Sequence, residues 1–151
     1  VVAHNVDDIV ALAALQRRIE ASFDGSAGSL GEPRDAHEGF GVARWLEMVG
    51  EVEAALERHE VWMDVHDEAA FAAARLWRRA GDVEAARAAW TSLAERGSGE
   101  AWVELAKLRE HHDGDFEGAR EAVRSARRTG GDVRDDLVRR EARLVRRLAR
   151  R

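Results

Sequence analysis

The sequence contains no cysteine, which removes disulfides, thiolate zinc sites and cysteine nucleophiles together. It has one proline, Pro33. It lacks any apolar run approaching the roughly 20 residues needed to span a bilayer, which predicts no membrane partner and a cytoplasmic location. The opening Val1-Val2-Ala3-His4 lacks the basic and then apolar pattern of a signal peptide. A first residue of Val rather than Met predicts a piece of a longer protein or a processed one. Lys107 is the only lysine beside 23 arginines, a bias that a GC-rich genome explains more simply than function does.

What is present points to helices. Of the 151 residues, 45% are hydrophobic and 35% charged, the balance of amphipathic helices, and the length suits one continuous core. Ala, Glu, Arg and Leu dominate, while Val and Ile are too scattered for strands, so the predicted class is all-α. The net charge of −5 conceals an asymmetry. Residues 120–151 carry 12 arginines and 5 acids, a sum of +7, which leaves −12 on the remainder. The C-terminal end therefore suits an anionic partner and the body repels one.

One phrase recurs three times: Gly50-Glu51-Val52-Glu53-Ala54-Ala55, Gly81-Asp82-Val83-Glu84-Ala85-Ala86 and Gly114-Asp115-Phe116-Glu117-Gly118-Ala119. The glycines lie 31 and 33 residues apart. Such a period marks a repeat whose unit is a helical hairpin that cannot bury its apolar face alone. Gly ends one helix in the left-handed conformation, and the acid begins the next at its positive end. The pattern predicts helix pairs at 38–49 with 51–64, 67–80 with 83–96, and 99–111 with 116–128. Bulky residues follow on the second helices at His59 and Trp62, Trp90 and Leu93, and Val123, with Ala126 beside it. Trp45, Trp77 and Trp102 fall on the first helices. An N-terminal helix is predicted over 6–23, with Asn5 as N-cap and an apolar face of Val6, Ile9, Val10, Ala13, Ile19 and Phe23. A final helix over 133–150 has an apolar side of Val133, Leu137, Leu144, Val145 and Leu148. Its other faces are arginine-rich, as a solenoid end requires. The implied segments are a helix at 1–24, a linker at 25–37, three pairs at 38–130 and a basic capping helix at 131–151.

The bend, the small residue at Ala55, Ala86 and Ala119, and the bulky residue four positions later resemble the tetratricopeptide repeat over residues 38–128. The resemblance implies a short helical solenoid with an N-terminal extra helix and a C-terminal capping helix. It also implies a groove, lined by the first helix of each pair, that takes a protein or peptide partner. The first unit departs from the pattern at Glu51 and His59, and the usual proline between units is absent.

The segment His4-Asn5-Val6-Asp7-Asp8-Ile9-Val10-Ala11-Leu12 resembles the last motif of DEDD-type 3′–5′ exonucleases with a ribonuclease H-like fold, in wording close to the YprB-like subgroup. The resemblance covers residues 1–23. It implies Asp8 as a metal-binding carboxylate on a first helical turn and His4 as the residue that orients the attacking water. It also implies Mg or Mn as cofactor once the remaining acids of an upstream domain are supplied. With those acids missing, this chain alone has no cofactor and hydrolyses nothing. The other reading of the same residues is a plain cap: Asn5 caps, Asp8 favours the helix dipole and His4 faces solvent.

The remaining candidates are weaker. His111-His112-Asp113-Gly114-Asp115 has metal-ligand residue types, but it also fills a repeat bend, and adjacent histidines point in different directions. His59 and His66-Asp67 have no partners at ligand spacing. Stacking on nucleic acid needs exposed aromatics among basic residues, and neither Trp45 nor Trp102 has a basic cluster. Arg139, Arg140, Arg143, Arg146, Arg147 and Arg150 are spaced to place charge on one side of the last helix, where it contacts a nucleic acid or is a solvated cap partly paired to Asp135, Asp136 and Glu141. The N-terminal helix offers a route to a homo-oligomer. The expected function is thus a non-catalytic helical-repeat scaffold or binding region of a ribonuclease H-like exonuclease. The alternative is a stand-alone repeat adaptor for a protein partner.

Overall fold

A computed structural model of the chain describes residues 13, 16–17, 20, 33, 35–129 and 135–149. The described residues form helices and no strand, so the protein is all-α. The chain divides into two compact units, Val1–His66 and Asp67–Arg151. In the first, α1 (Ala36–Val49) packs on α2 (Val52–Trp62). Ala13, Gln16, Arg17 and Glu20 are helical, and Gln16 donates to Glu20 at 2.8 Å. In the second unit, α3 (Asp67–Ala80), α4 (Val83–Glu95), α5 (Gly99–Leu108), a π-helical turn (Arg109–Asp113), α6 (Phe116–Arg128) and α7 (Asp135–Leu148) follow one another. Each packs on its neighbour in sequence. Among the described residues no helix is long and apolar enough to cross a membrane.

The bends form for the reason the sequence suggests. Gly50 and Gly81 both sit at φ +91°, where a Cβ meets the following carbonyl. At each, the glycine N–H and the next N–H turn back to the last helical carbonyls: Gly81 to Arg78 at 3.2 Å and Asp82 to Trp77 at 2.9 Å. This pair of bonds satisfies the orphan carbonyls of a helix end. Asp82, Ser98 and Asp115 then cap the next helices, accepting from the N–H of Ala85, Ala101 and Gly118. Glu51 makes no side-chain cap bond. Asp35 accepts from Glu38 N–H at 2.9 Å, so α1 begins at Ala36, two residues before the predicted start.

The repeat register carries through to the core. Ala55, Ala86 and Ala119, five residues after each glycine, are fully buried, as are His59, Trp90 and Val123, nine residues after. Trp62 and Trp77 are only half-buried, unlike Trp90. A Cβ added to Gly39 would overlap the Trp62 indole, so that ring lies directly on the backbone of α1. On the first-helix side, Ala43 and Ala74 stand seven residues before their glycines, but the equally buried Ala106 stands eight before Gly114. One extra residue has entered between Ala106 and Gly114. The predicted helix 99–111 accommodates it by ending at Leu108 and widening into the π turn, the usual way a helix absorbs an insertion.

Candidate functional site

The π turn holds a buried acid. Glu110 lies four residues after the buried Ala106, about one helical turn on, and is itself buried, whereas His111 and His112 are exposed. Glu110 is 3% exposed, and α7 supplies its partners. Arg140 Nη1 donates to Oε2 at 2.6 Å. Arg143 donates through Nε to Oε1 at 2.9 Å and through Nη2 to Oε2 at 2.8 Å. Burial pushes the carboxyl up, but the hydrogen bond from Arg143 and the charges of both arginines outweigh it, so Glu110 titrates below its ordinary value. A carboxylate buried in this way is tolerated only when paired and hydrogen-bonded.

The neighbouring acid is engaged as well. Arg87 of α4 grips Asp113 with two bonds of 2.8 Å, and His112 Nδ1 lies 2.9 Å from Oδ1. The Arg87 hydrogen bond first, then that of His112, holds the Asp113 carboxyl at about 2. Asp115 is the cap of α6. The residues 111–115 therefore serve the bend, and among the described residues no group of three His, Asp or Glu can hold a metal ion.

The arginines of the last helix divide by task. Arg140 and Arg143 serve Glu110, and Arg147 lies over the Phe116 ring at 5.1 Å. Arg139 and Arg146 are exposed. Glu141, expected to pair within its own helix, reaches instead to Arg124 (3.3 Å) and Arg127 (2.7 Å) of α6. Leu137 and Leu144 are buried as expected, whereas Val145, assigned to the same apolar side, is 43% exposed. Its position relative to Leu144 and Leu148 places it outside the buried stripe once α7 docks through Glu110. His4, Asp8, Val133 and Arg150 lie outside the described residues.

The first unit holds a second cluster. His59 is fully buried, and its Nε2 lies 2.9 Å from Glu47 Oε1. Its ring faces Phe40 at 5.6 Å, and Phe40 stacks on His66 at 5.0 Å. His59 thus has partners that its sequence neighbours do not reveal: it fills the slot that Trp90 and Val123 occupy elsewhere. On the outer side of α1, Met48 is 76% and Trp45 41% exposed, with Val49 exposed beside them. An open cavity of about 530 Å³ is lined by Arg44, Trp45, Glu47 and Met48.

Sequence reasoning missed the burial of Glu110 and the pairing of Glu47 with His59. The longer 33-residue interval between Gly81 and Gly114 signals the π turn but not the acid buried in it. No protein-family model matches the chain, and no curated protein matches it.

Proposed function

We propose that the chain is a non-catalytic, tetratricopeptide-like helical-repeat module that binds a peptide segment of another protein through α1. The observation that carries this reading is the group of Trp45, Met48 and Val49, exposed together on one helix beside an open cavity edged by Arg44 and Glu47. Trp, Met and Arg are the residue types that anchor interfaces, because they offer large contact area and a polar handle. The first helix of a pair is also where the tetratricopeptide resemblance places the groove. The test is a peptide-library selection on the full chain, followed by Trp45→Ala. Selected peptides should lose about tenfold or more in affinity, while the thermal melt stays unchanged because the ring is partly exposed. Equal binding by the variant removes α1 from the account.

A second reading rests on the string His4 to Leu12, which supports a scaffold role beside a ribonuclease H-like exonuclease domain. Asp8 would there ligate Mg or Mn and His4 would orient water. Reading the gene upstream of Val1 tests it. An Asp-x-Glu strand motif followed by another acid supports it. The extended product should then cleave oligonucleotides with Mg or Mn, and Asp8→Asn should abolish cleavage. Absence of such acids leaves Asp8 a helix-capping residue.

A further inference from the structure

α7 has two apolar sides. Leu137 and Leu144 are buried where the helix packs on α6. A separate set, Val138, Ala142, Val145 and Ala149, recurs at spacings of four, three and four residues, and all four are exposed. That spacing places them on one face and is the seam that one helix offers to another in knobs-into-holes packing. Val138 and Val145, at 46% and 43% exposure, leave the seam open to solvent.

Arginines stand along both borders of this seam. Arg139 and Arg146 follow one residue after each valine and flank one edge. On the other edge stands Glu141, held by Arg124 and Arg127, whose side chains remain 48% and 44% exposed. One carboxylate shared by two arginines leaves that edge positive. We infer that the outer face of α7 docks an acidic amphipathic helix of a partner protein, its apolar stripe on Val138, Ala142 and Val145 and its carboxylates on the flanking arginines.

The chemistry selects this occupant over others. A nucleic-acid strand meets phosphates with cations and gains nothing from an aliphatic seam between them. A second copy's α7 would set arginine against arginine, and like charges facing across an interface select against that pairing. An acidic helix satisfies seam and borders together. This surface is distinct from the α1 face, so either can fail alone.

The test uses the full chain and a labelled helical peptide of about three heptads, with leucine at seam positions and glutamate beside them. A lysine-flanked peptide and a single-stranded oligonucleotide are the comparators. Fluorescence anisotropy should show the glutamate peptide binding about tenfold or more tighter than the lysine peptide, with affinity falling as salt rises. Val145→Asp should lose about tenfold in affinity; Val145→Ser is the substitute if the aspartate alters the melt. Arg139→Glu combined with Arg146→Glu should reverse the preference towards lysine. Several results overturn the proposal: equal or absent binding of the two peptides, or preferential binding of the oligonucleotide. So does self-association of the chain that Val145→Asp abolishes.

Discussion

Glu110 decides how α7 is held. Both of its oxygens are occupied by Arg140 and Arg143, so Glu110→Gln removes the charge that justifies two guanidinium groups at this site. Breaking a fully buried pair costs about 3–5 kcal/mol. Here the arginines are partly exposed and can regain water, which lowers the expected loss to about 1–3 kcal/mol, read from urea unfolding at neutral pH. The same residues set an acid limit. The carboxyls of Asp113 and Glu110 titrate lower in the folded chain than in the unfolded one. Their contribution is therefore complete above the ordinary values of 3.8 and 4.5 and is lost as pH falls through the folded ones, about 2 for Asp113. Stability measured from pH 5 downwards should fall, and Asp113→Asn should flatten that slope. None of these pairings was legible in the sequence, because Glu110 is 30 and 33 residues from its arginines and neither spacing follows a helix. For His59 the position was legible, since the repeat register puts it in a core slot, but its partner Glu47 across the hairpin was not.

At the level of the element, the helices and bends were readable almost throughout. Gly before an acid before an apolar pair specifies a helix stop, a cap and a close helix contact within six residues, and each of these is local. The residues that terminate helices carry a measurable cost when changed. Gly81→Ala forces a Cβ into the left-handed conformation and is expected to cost about 1–2 kcal/mol, with nothing in the surrounding space to add to it. Gly39 is not at positive φ, and its alanine would instead collide with the Trp62 indole, an overpacking effect of about 1–3 kcal/mol. The two variants separate by rescue. A smaller side chain at Trp62 relieves Gly39→Ala in a double-mutant cycle, whereas no partner change relieves Gly81→Ala. The π turn was the element the sequence did not spell out. Helical periodicity runs smoothly up to Leu108, and only the length of the interval to Gly114 betrays the additional residue.

For the molecule as a whole, composition excluded more than it assigned. The sequence has no cysteine, and among the described residues no helix is long and apolar enough to cross a membrane and no cluster of three His, Asp or Glu is placed to hold a metal ion. Two exposed surfaces are built differently. The α1 face is an aromatic and thioether group beside a cavity, and the α7 face is an aliphatic seam between cations. The charge difference between the C-terminal residues and the remainder was evident from counting, but the division of the arginines into internal and outward-facing sets was not. That division follows from where α7 docks, which depends on Glu110.

The orderly sequence of packing in the second unit also governs how fast it forms. From α3 to α7, each helix rests on the one just before it in the chain, so assembly closes only short loops. Among the described residues, the Glu110 linkage, ion pairs such as Arg87–Asp113 and the Arg147–Phe116 contact reach further. Low mean sequence separation of contacts goes with folding in microseconds to milliseconds. Relaxation after a temperature jump should fall in that window, and Glu110→Gln should accelerate unfolding more than it slows folding, since its long-range partners join late.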